Sequence, residues 1–151
     1  MKIAVSNDHG GINLKKAVLK YLTEKGIDYT DYGYQEGGEP NPDYPDYAIP
    51  ACKAVASGDC DLGILICGTG IGMSIVANKI PGIRCGHCQD TFGARMTRCH
   101  NHANMIAFGE RITGEGVALD IVEAFLNATP ADGRHARRVQ KIMEVEKTYS
   151  K

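Results

Sequence analysis

In the run Ile64-Leu65-Ile66-Cys67-Gly68-Thr69-Gly70-Ile71-Gly72-Met73-Ser74 an apolar stretch stops at a single cysteine. A glycine-rich turn follows, and then the pattern of a helix. In an open α/β sheet a buried strand delivers its last side chain to a ligand crevice at such a point. The turn then offers free backbone N–H groups at a helix N-terminus, which suit an anion. One short segment thus combines a candidate nucleophile or base, Cys67, with a cradle for an oxyanion or a phosphate. Gly68, Gly70 and Gly72 lack Cβ, so the backbone can approach a ligand closely, and Thr69 sets a hydroxyl beside the sulfur. No Gly-Lys-Ser/Thr follows, so the segment is neither a P-loop nor a full dinucleotide fingerprint. A thiol in this position is favoured as thiolate. A free cysteine also serves as a small buried hydrophobe, and the segment alone fits both roles.

Two further polar clusters follow strands or βα units: Asp8-His9 and His100-Asn101. The alternation of elements predicts that all three lie at corresponding edges of a sheet, with Asp8 and Cys67 in one crevice. Each has a plainer alternative. Asp8 can cap the first helix, and His100 can lie on a helix surface or at a helix C-terminus. Near the end of the chain Arg134 and Arg138 are four residues apart, on one helical face. Two guanidinium groups on one face suit a phosphate, which they grip bidentately; a solvated basic face has the same spacing. Cys85-Gly86-His87-Cys88 has CxxC spacing, and Cys99, His100 and His102 would have to complete a zinc site from a distant segment. Thiols with no metal fit that spacing better.

The elements that must position these residues read clearly. With 151 residues, 43% of them hydrophobic, the chain suffices for one α/β domain over residues 1–151. A net charge of −1 gives no field for nucleic acid. No leader-like head or membrane-length apolar run is present; Met1-Lys2-Ile3-Ala4-Val5 reads as a first strand, so a cytoplasmic location with its six cysteines reduced is expected. Strands are predicted over Lys2–Ser6, Asp28–Tyr32, Leu62–Ile66, Ile83–Cys88 and Met105–Phe108. Helices are predicted over Ile12–Lys25, Tyr47–Ser57 with Pro50 near its first turn, Gly72–Lys79, Thr91–Cys99, Gly116–Asn127 and Arg134–Lys147. The stretch Gly33–Pro45, rich in Gly, Pro and acid, reads as a loop. This alternation means an α/β fold, a parallel sheet with helices on both faces.

Together the motifs resemble the type B ribose-5-phosphate isomerase family, which includes the subunits of galactose-6-phosphate isomerase. The resemblance rests on Asn7-Asp8-His9-Gly10-Gly11, Asp43-Tyr44-Pro45, the Ile66–Ser74 segment with Ala77-Asn78-Lys79, Gly82-Ile83-Arg84, Arg98-Cys99-His100-Asn101, Phe108-Gly109-Glu110-Arg111, and Gly133-Arg134-His135 with Arg138. It implies a Rossmann-like three-layer fold and homodimers that often pair into tetramers, with active sites at the dimer interface. It implies interconversion of a phosphorylated aldose and ketose, ribose 5-phosphate and ribulose 5-phosphate, through a cis-enediolate, with no metal or cofactor. Cys67 is then the base, since Met73 stands where one branch of the family has a carboxylate. Thr69 would orient Cys67, and Asp8 and His100 match the ring-opening pair. The amides from Gly70 through Ile71, Gly72 and Met73 to Ser74, next to Gly68, and Asn101 would hold the enediolate oxygens. His9, Arg134 and Arg138 match the phosphate grip. The same resemblance gives Tyr44, His100, Asn101 and Arg111 to the neighbouring subunit's site. His102 is an extra imidazole with no assigned role. The sequence leaves open a hexose 6-phosphate substrate (allose or galactose), a flavodoxin-like phosphate-binding module, and a thiol redox or metal protein using Cys85 and Cys88.

Overall fold

A computed structural model describes residues 1–38, 40 and 43–150. Part of the Gly33–Pro45 stretch, residues 39, 41 and 42, lies outside the described residues. Five strands, β1 (Lys2–Asn7), β2 (Asp28–Asp31), β3 (Leu62–Cys67), β4 (Cys85–His87) and β5 (Met105–Gly109), form one sheet in the order β2-β1-β3-β5-β4. All neighbours pair in parallel, with Asn7 opposite Ile66 and Cys67 opposite Gly109. The chain moves outward from β1 to β2 and then crosses back to place β3 on the other side of β1. That reversal is the switch point where open α/β sheets bind ligands, beyond the carboxyl ends of the strands.

The described residues form six helices, five of which pack on the sheet: α1 (Ile12–Glu24), α2 (Tyr44–Ser57), α3 (Ile71–Ala77), α4 (Thr91–Asn101) and α5 (Glu115–Asn127), followed by α6 (Arg134–Tyr149). Strand side chains alternate between two cores. On one face Ile3, Val5, Ile64, Ile66, Ile106 and Phe108 pack with Leu14, Val18 and Leu22 of α1, Ala94 of α4 and Ile121, Val122 and Phe125 of α5. On the other, Ala4, Leu65, Cys67, Met105 and Ala107 meet Ala48, Ala51 and Cys52 of α2 and Met73 and Ala77 of α3. Alanines on α2 let that helix lie close to the strands, and this parity points Cys67 toward α2 and α3. The helix α6 stands outside these layers and buries only Val139. No helix among the described residues is long and apolar enough to cross a membrane.

Two boundaries depart from expectation in ways that bear on the site. Helix α2 begins at Tyr44 rather than Tyr47, with Pro45 in its first turn and Pro50 in its interior. Proline fits a first turn because that position has no intrahelical use for an N–H, so a residue read as loop begins the helix. Helix α4 runs through His100 and Asn101 and ends on His102 in the left-handed conformation, φ 49° and ψ 36°. The expected fourth strand, Ile83–Cys88, shortens to Cys85–His87.

Candidate active site

At the carboxyl edge, β1 and β3 deliver Asp8 and Cys67 side by side. The Asp8 N–H donates to the Ile66 carbonyl (3.2 Å), continuing the β1–β3 ladder past the strand end. Its Oδ1 accepts the Gly10 N–H at 2.7 Å and caps the short 3-10 turn His9–Gly11. Asp8 thus caps the 3-10 turn rather than α1 itself, whose N-cap is Gly11, and it uses one carboxylate oxygen. Gly10 backs directly onto the cysteine turn: a Cβ there would lie 2.9 Å from the Gly68 nitrogen. Cys67 is only 5% exposed. Its Sγ accepts the Gly70 N–H at 3.0 Å.

The turn after Cys67 is held against β5. Gly70 has φ +79°, and a Cβ on it would lie 2.7 Å from the Phe108 backbone; only glycine combines that conformation with that approach. A Cβ at Gly109 would collide with the Thr69 backbone. Thr69 does not bond the sulfur as expected. Its Oγ1 accepts the Ile71 N–H at 3.3 Å, and the backbone amide of Gly70 takes the place on Sγ. The physical reason is the tight turn, which brings N–H groups rather than side chains over the thiol. Of the four amides that a helix start leaves free, those of Gly70 and Ile71 are thereby engaged. The cradle foreseen over Gly70–Ser74 narrows to the amides of Gly72 and Met73. Ser74 N–H bonds the Gly70 carbonyl, and its Oγ donates to the Ile71 carbonyl at 2.8 Å. Met73 lies in the core.

Tyr44 and Arg111 stand on this same edge. The Tyr44 ring lies over Gly72, where a Cβ would be 2.8 Å from its Cζ. The Arg111 guanidinium lies over Gly68, with Cζ 3.1 Å from the position of a Cβ, and the Arg111 backbone N–H donates to the Gly68 carbonyl at 3.0 Å. Both flank the turn that follows Cys67 of their own chain. His9 is exposed beside Asp8.

His100 and Asn101 take the opposite edge. A helix that follows a strand runs back across the sheet, and α4 ends level with the start of β4. There Arg84, the residue before β4, donates from Nε to the Asn101 carbonyl at 3.2 Å. The expectation that all three polar clusters share an edge thus fails for His100-Asn101. Beside them stands the start of α6. The rings of His100 and His135 stack with centroids 4.1 Å apart and planes 4° from parallel. Partial burial, then His100, Arg134, Arg138 and His102, push the His135 pKa below the ordinary imidazole value. Arg134 and Arg138 sit on this helix, both exposed. Within one chain the expected phosphate grip is divided: His9 with Arg111 on one edge, Arg134 with Arg138 on the other. The ring-opening pair, Asp8 and His100, is divided in the same way.

Two residues that the sequence reading did not single out support the carboxyl edge. The His87 Nε2 lies 2.9 Å from the Thr69 carbonyl; a carbonyl only accepts, so the ring donates and steadies the turn from β4. The Glu110 carboxylate accepts the N–H groups of Asn13 (2.9 Å) and Leu14 (3.0 Å) and the Asn13 amide (2.7 Å). It thereby closes the start of α1 against the end of β5, as an acid favours a helix N-terminus. Their sequence signals were the strand-end positions of His87, inside the CxxC spacing, and of Glu110, beside Arg111. Burial pushes the Cys52 and Cys88 thiols up to about 12, with Asp90 adding to the effect at Cys88. Among the described residues no group of three His, Cys, Asp or Glu is placed to hold a metal ion.

Comparison with known proteins agrees with this geometry. The ribose/galactose isomerase family matches residues 3–142. Ribose-5-phosphate isomerase B of Escherichia coli is 44% identical over 145 residues, covering 96% of each chain. D-erythrulose-4-phosphate isomerase of Pectobacterium atrosepticum is 45% identical over 142 residues, covering 94% of this chain and 93% of the relative. The solved structure of Clostridium thermocellum ribose-5-phosphate isomerase B superposes with a TM-score of 0.94 at 50% identity, covering 99% of this chain and all of the other. The chain belongs to the ribose/galactose isomerase family, as a sugar-phosphate isomerase of the type B ribose-5-phosphate isomerase group.

Proposed function

We propose that the protein interconverts ribose 5-phosphate and ribulose 5-phosphate through a cis-enediolate, with Cys67 as the base. The observation that carries this reading is the sulfur at the end of β3, bonded by the Gly70 amide at 3.0 Å beside Asp8. The Gly70 N–H is aimed at the atom that must hold the proton in transit, and the thiolate is the form that acts as a base. The thiolate takes the C2 proton of the open aldose, leaving the enediolate; the hydroxyl proton passes from O2 to O1, and the thiol returns its proton to C1 to give the ketose. Charge developing on O1 and O2 meets the amides of Gly72 and Met73. Opening the ring form needs a base at the anomeric hydroxyl and an acid at the ring oxygen; Asp8 suits the first task and an imidazolium at His100 the second.

Asp8, His9, Cys67 and Arg111 stand on one edge of a chain, and His100, Asn101, Arg134 and Arg138 on the other. A complete site therefore forms between two copies, the carboxyl edge of one facing the amino edge of the next, in a homodimer. The relative named D-erythrulose-4-phosphate isomerase gives a second reading, a four-carbon ketose phosphate. A coupled assay with ribose 5-phosphate, D-erythrulose 4-phosphate, allose 6-phosphate and galactose 6-phosphate decides. The highest kcat/KM is expected on ribose 5-phosphate, and a higher value on any other overturns the assignment.

A further inference from the structure

His102 is the one non-glycine residue with positive φ among those described, at +49°. A left-handed conformation costs a residue with a side chain free energy and persists where surrounding structure holds it. Here the surroundings do so twice. The His102 carbonyl accepts from Arg84, at 2.9 Å from Nη2 and 3.2 Å from Nε. Its half-buried ring reaches across the fold, with Nε2 2.8 Å from the Ala131 carbonyl in the connection between α5 and α6. The Ala131 N–H in turn donates to the Cys99 carbonyl at 2.8 Å. Both polar backbone atoms of Ala131 are therefore bound to the end of α4, three residues before Arg134. At the second residue of α6, His135 lies flat on His100. Arg84 extends the same junction along α6, with Nη1 3.3 Å from the Met143 sulfur.

We propose that His102 is a positioning residue: its ring latches the α5–α6 connection to the end of α4, so that His100 and Asn101 from one helix and Arg134 and Arg138 from the other form one rigid unit. This rests on the isomerase reading only for its kinetic consequence; the latch itself is a statement about the chain. A carbonyl accepts only, so Nε2 carries the proton in the bond. The neutral Nε2–H tautomer and the imidazolium both satisfy it. The latch gives the left-handed cap a purpose: from αR the side chain at this position would follow the helix instead of pointing to residue 131.

Three substitutions separate the bond from the backbone. His102→Gln keeps a donor at the reach of Nε2. His102→Asn tolerates the left-handed conformation well but is too short to reach Ala131. His102→Gly removes both the side chain and any backbone cost, and so provides a variant that folds. Stacked rings shift each other's protons upfield, so the imidazole protons of His100 and His135 read the junction by NMR without any substrate. In His102→Asn and His102→Gly those shifts should collapse while the melting temperature stays near that of the parent. With ribose 5-phosphate, KM should rise and kcat fall, by about tenfold to hundredfold together, since a misplacement near 1 Å costs on that order. His102→Gln should restore both the shifts and the kinetics. Retention of the stack and of turnover in His102→Asn and His102→Gly would overturn the proposal, as would failure of His102→Gln to restore what His102→Asn loses. If the stack is lost with turnover unchanged, His100→Asn assigns the fault. A slowed His100→Asn then overturns the positioning role, whereas an unaffected one overturns the role of His100 and leaves the latch standing on the NMR result.

Discussion

The carboxyl edge of the sheet is buried and bonded through its backbone, whereas the amino edge presents its chemistry on exposed helix ends. At the first, Cys67 and Asp8 are 5% and 7% exposed, and the turn between β3 and α3 is wedged against Phe108 and Gly109. At the second, His100, Arg134 and Arg138 are exposed, and the rings of His100 and His135 are held by each other. The difference suits the two tasks proposed for these residues. A base that must reach two adjacent carbons gains from being fixed in a dry, crowded place. Groups that meet a phosphate or a ring oxygen from outside need reach, and they complete the site only when another surface is brought to them.

Breaking the buried half should have the larger effects. Cys67→Ala removes the base and is expected to lower turnover by about 10²–10⁴-fold, the usual contribution of a positioned base, with the melting temperature and substrate binding little changed. Near-normal turnover in that variant would remove the thiol from the chemistry. Gly109→Ala sets a methyl group into the Thr69 backbone. It should destabilise the fold by about 1–3 kcal/mol, as overpacking does, and slow the reaction. Gly114→Ala meets nothing within 4 Å and should do neither. Thermal melts of the pair of variants sharpen the contrast between a wedged turn and an open one.

The exposed half should respond in binding rather than in fold. Arg138→Ala is expected to raise KM for phosphorylated sugars roughly ten- to hundredfold, the loss of a charge-assisted bond to phosphate. It should leave free ribose or allose untouched, and equal weakening of both would make the arginine structural. The smallest change is expected for His100→Asn. It should slow ribose 5-phosphate, which is largely cyclic, while sparing ribulose 5-phosphate, which is already open. Single-turnover measurements in both directions check it, because steady-state constants are tied by the equilibrium.

The sheet and its helices were legible because β1, β3 and β5 are short apolar runs bounded by Gly, Asn and Asp, and because the amphipathic spacing of α1 and α5 is unbroken. The start of α2 was not, since Pro45 reads as a loop residue until it is seen in a first turn. Cys67, Asp8 and the glycine turn announced themselves as a site because each follows a buried strand. The placement of His100 was misjudged on the same logic. Eleven helical residues at about 1.5 Å each carry the chain roughly 16 Å back across the sheet, so the end of α4 belongs to the other edge. That Arg111 lies beside the cysteine turn of its own chain, away from the two tail arginines, had no local signal. It depends on β5 lying next to β3, which periodicity does not reveal.

If one site draws on opposite edges of two chains, two variants impaired in opposite halves should rescue each other when mixed. Cys67→Ala keeps the amino edge intact, and His100→Asn with Arg138→Ala keeps the carboxyl edge. Refolded together in equal amounts, they should yield mixed dimers with one whole site. Random pairing in a two-fold dimer then restores about one quarter of the parent activity. A mixture no more active than its components would place every catalytic group within a single chain.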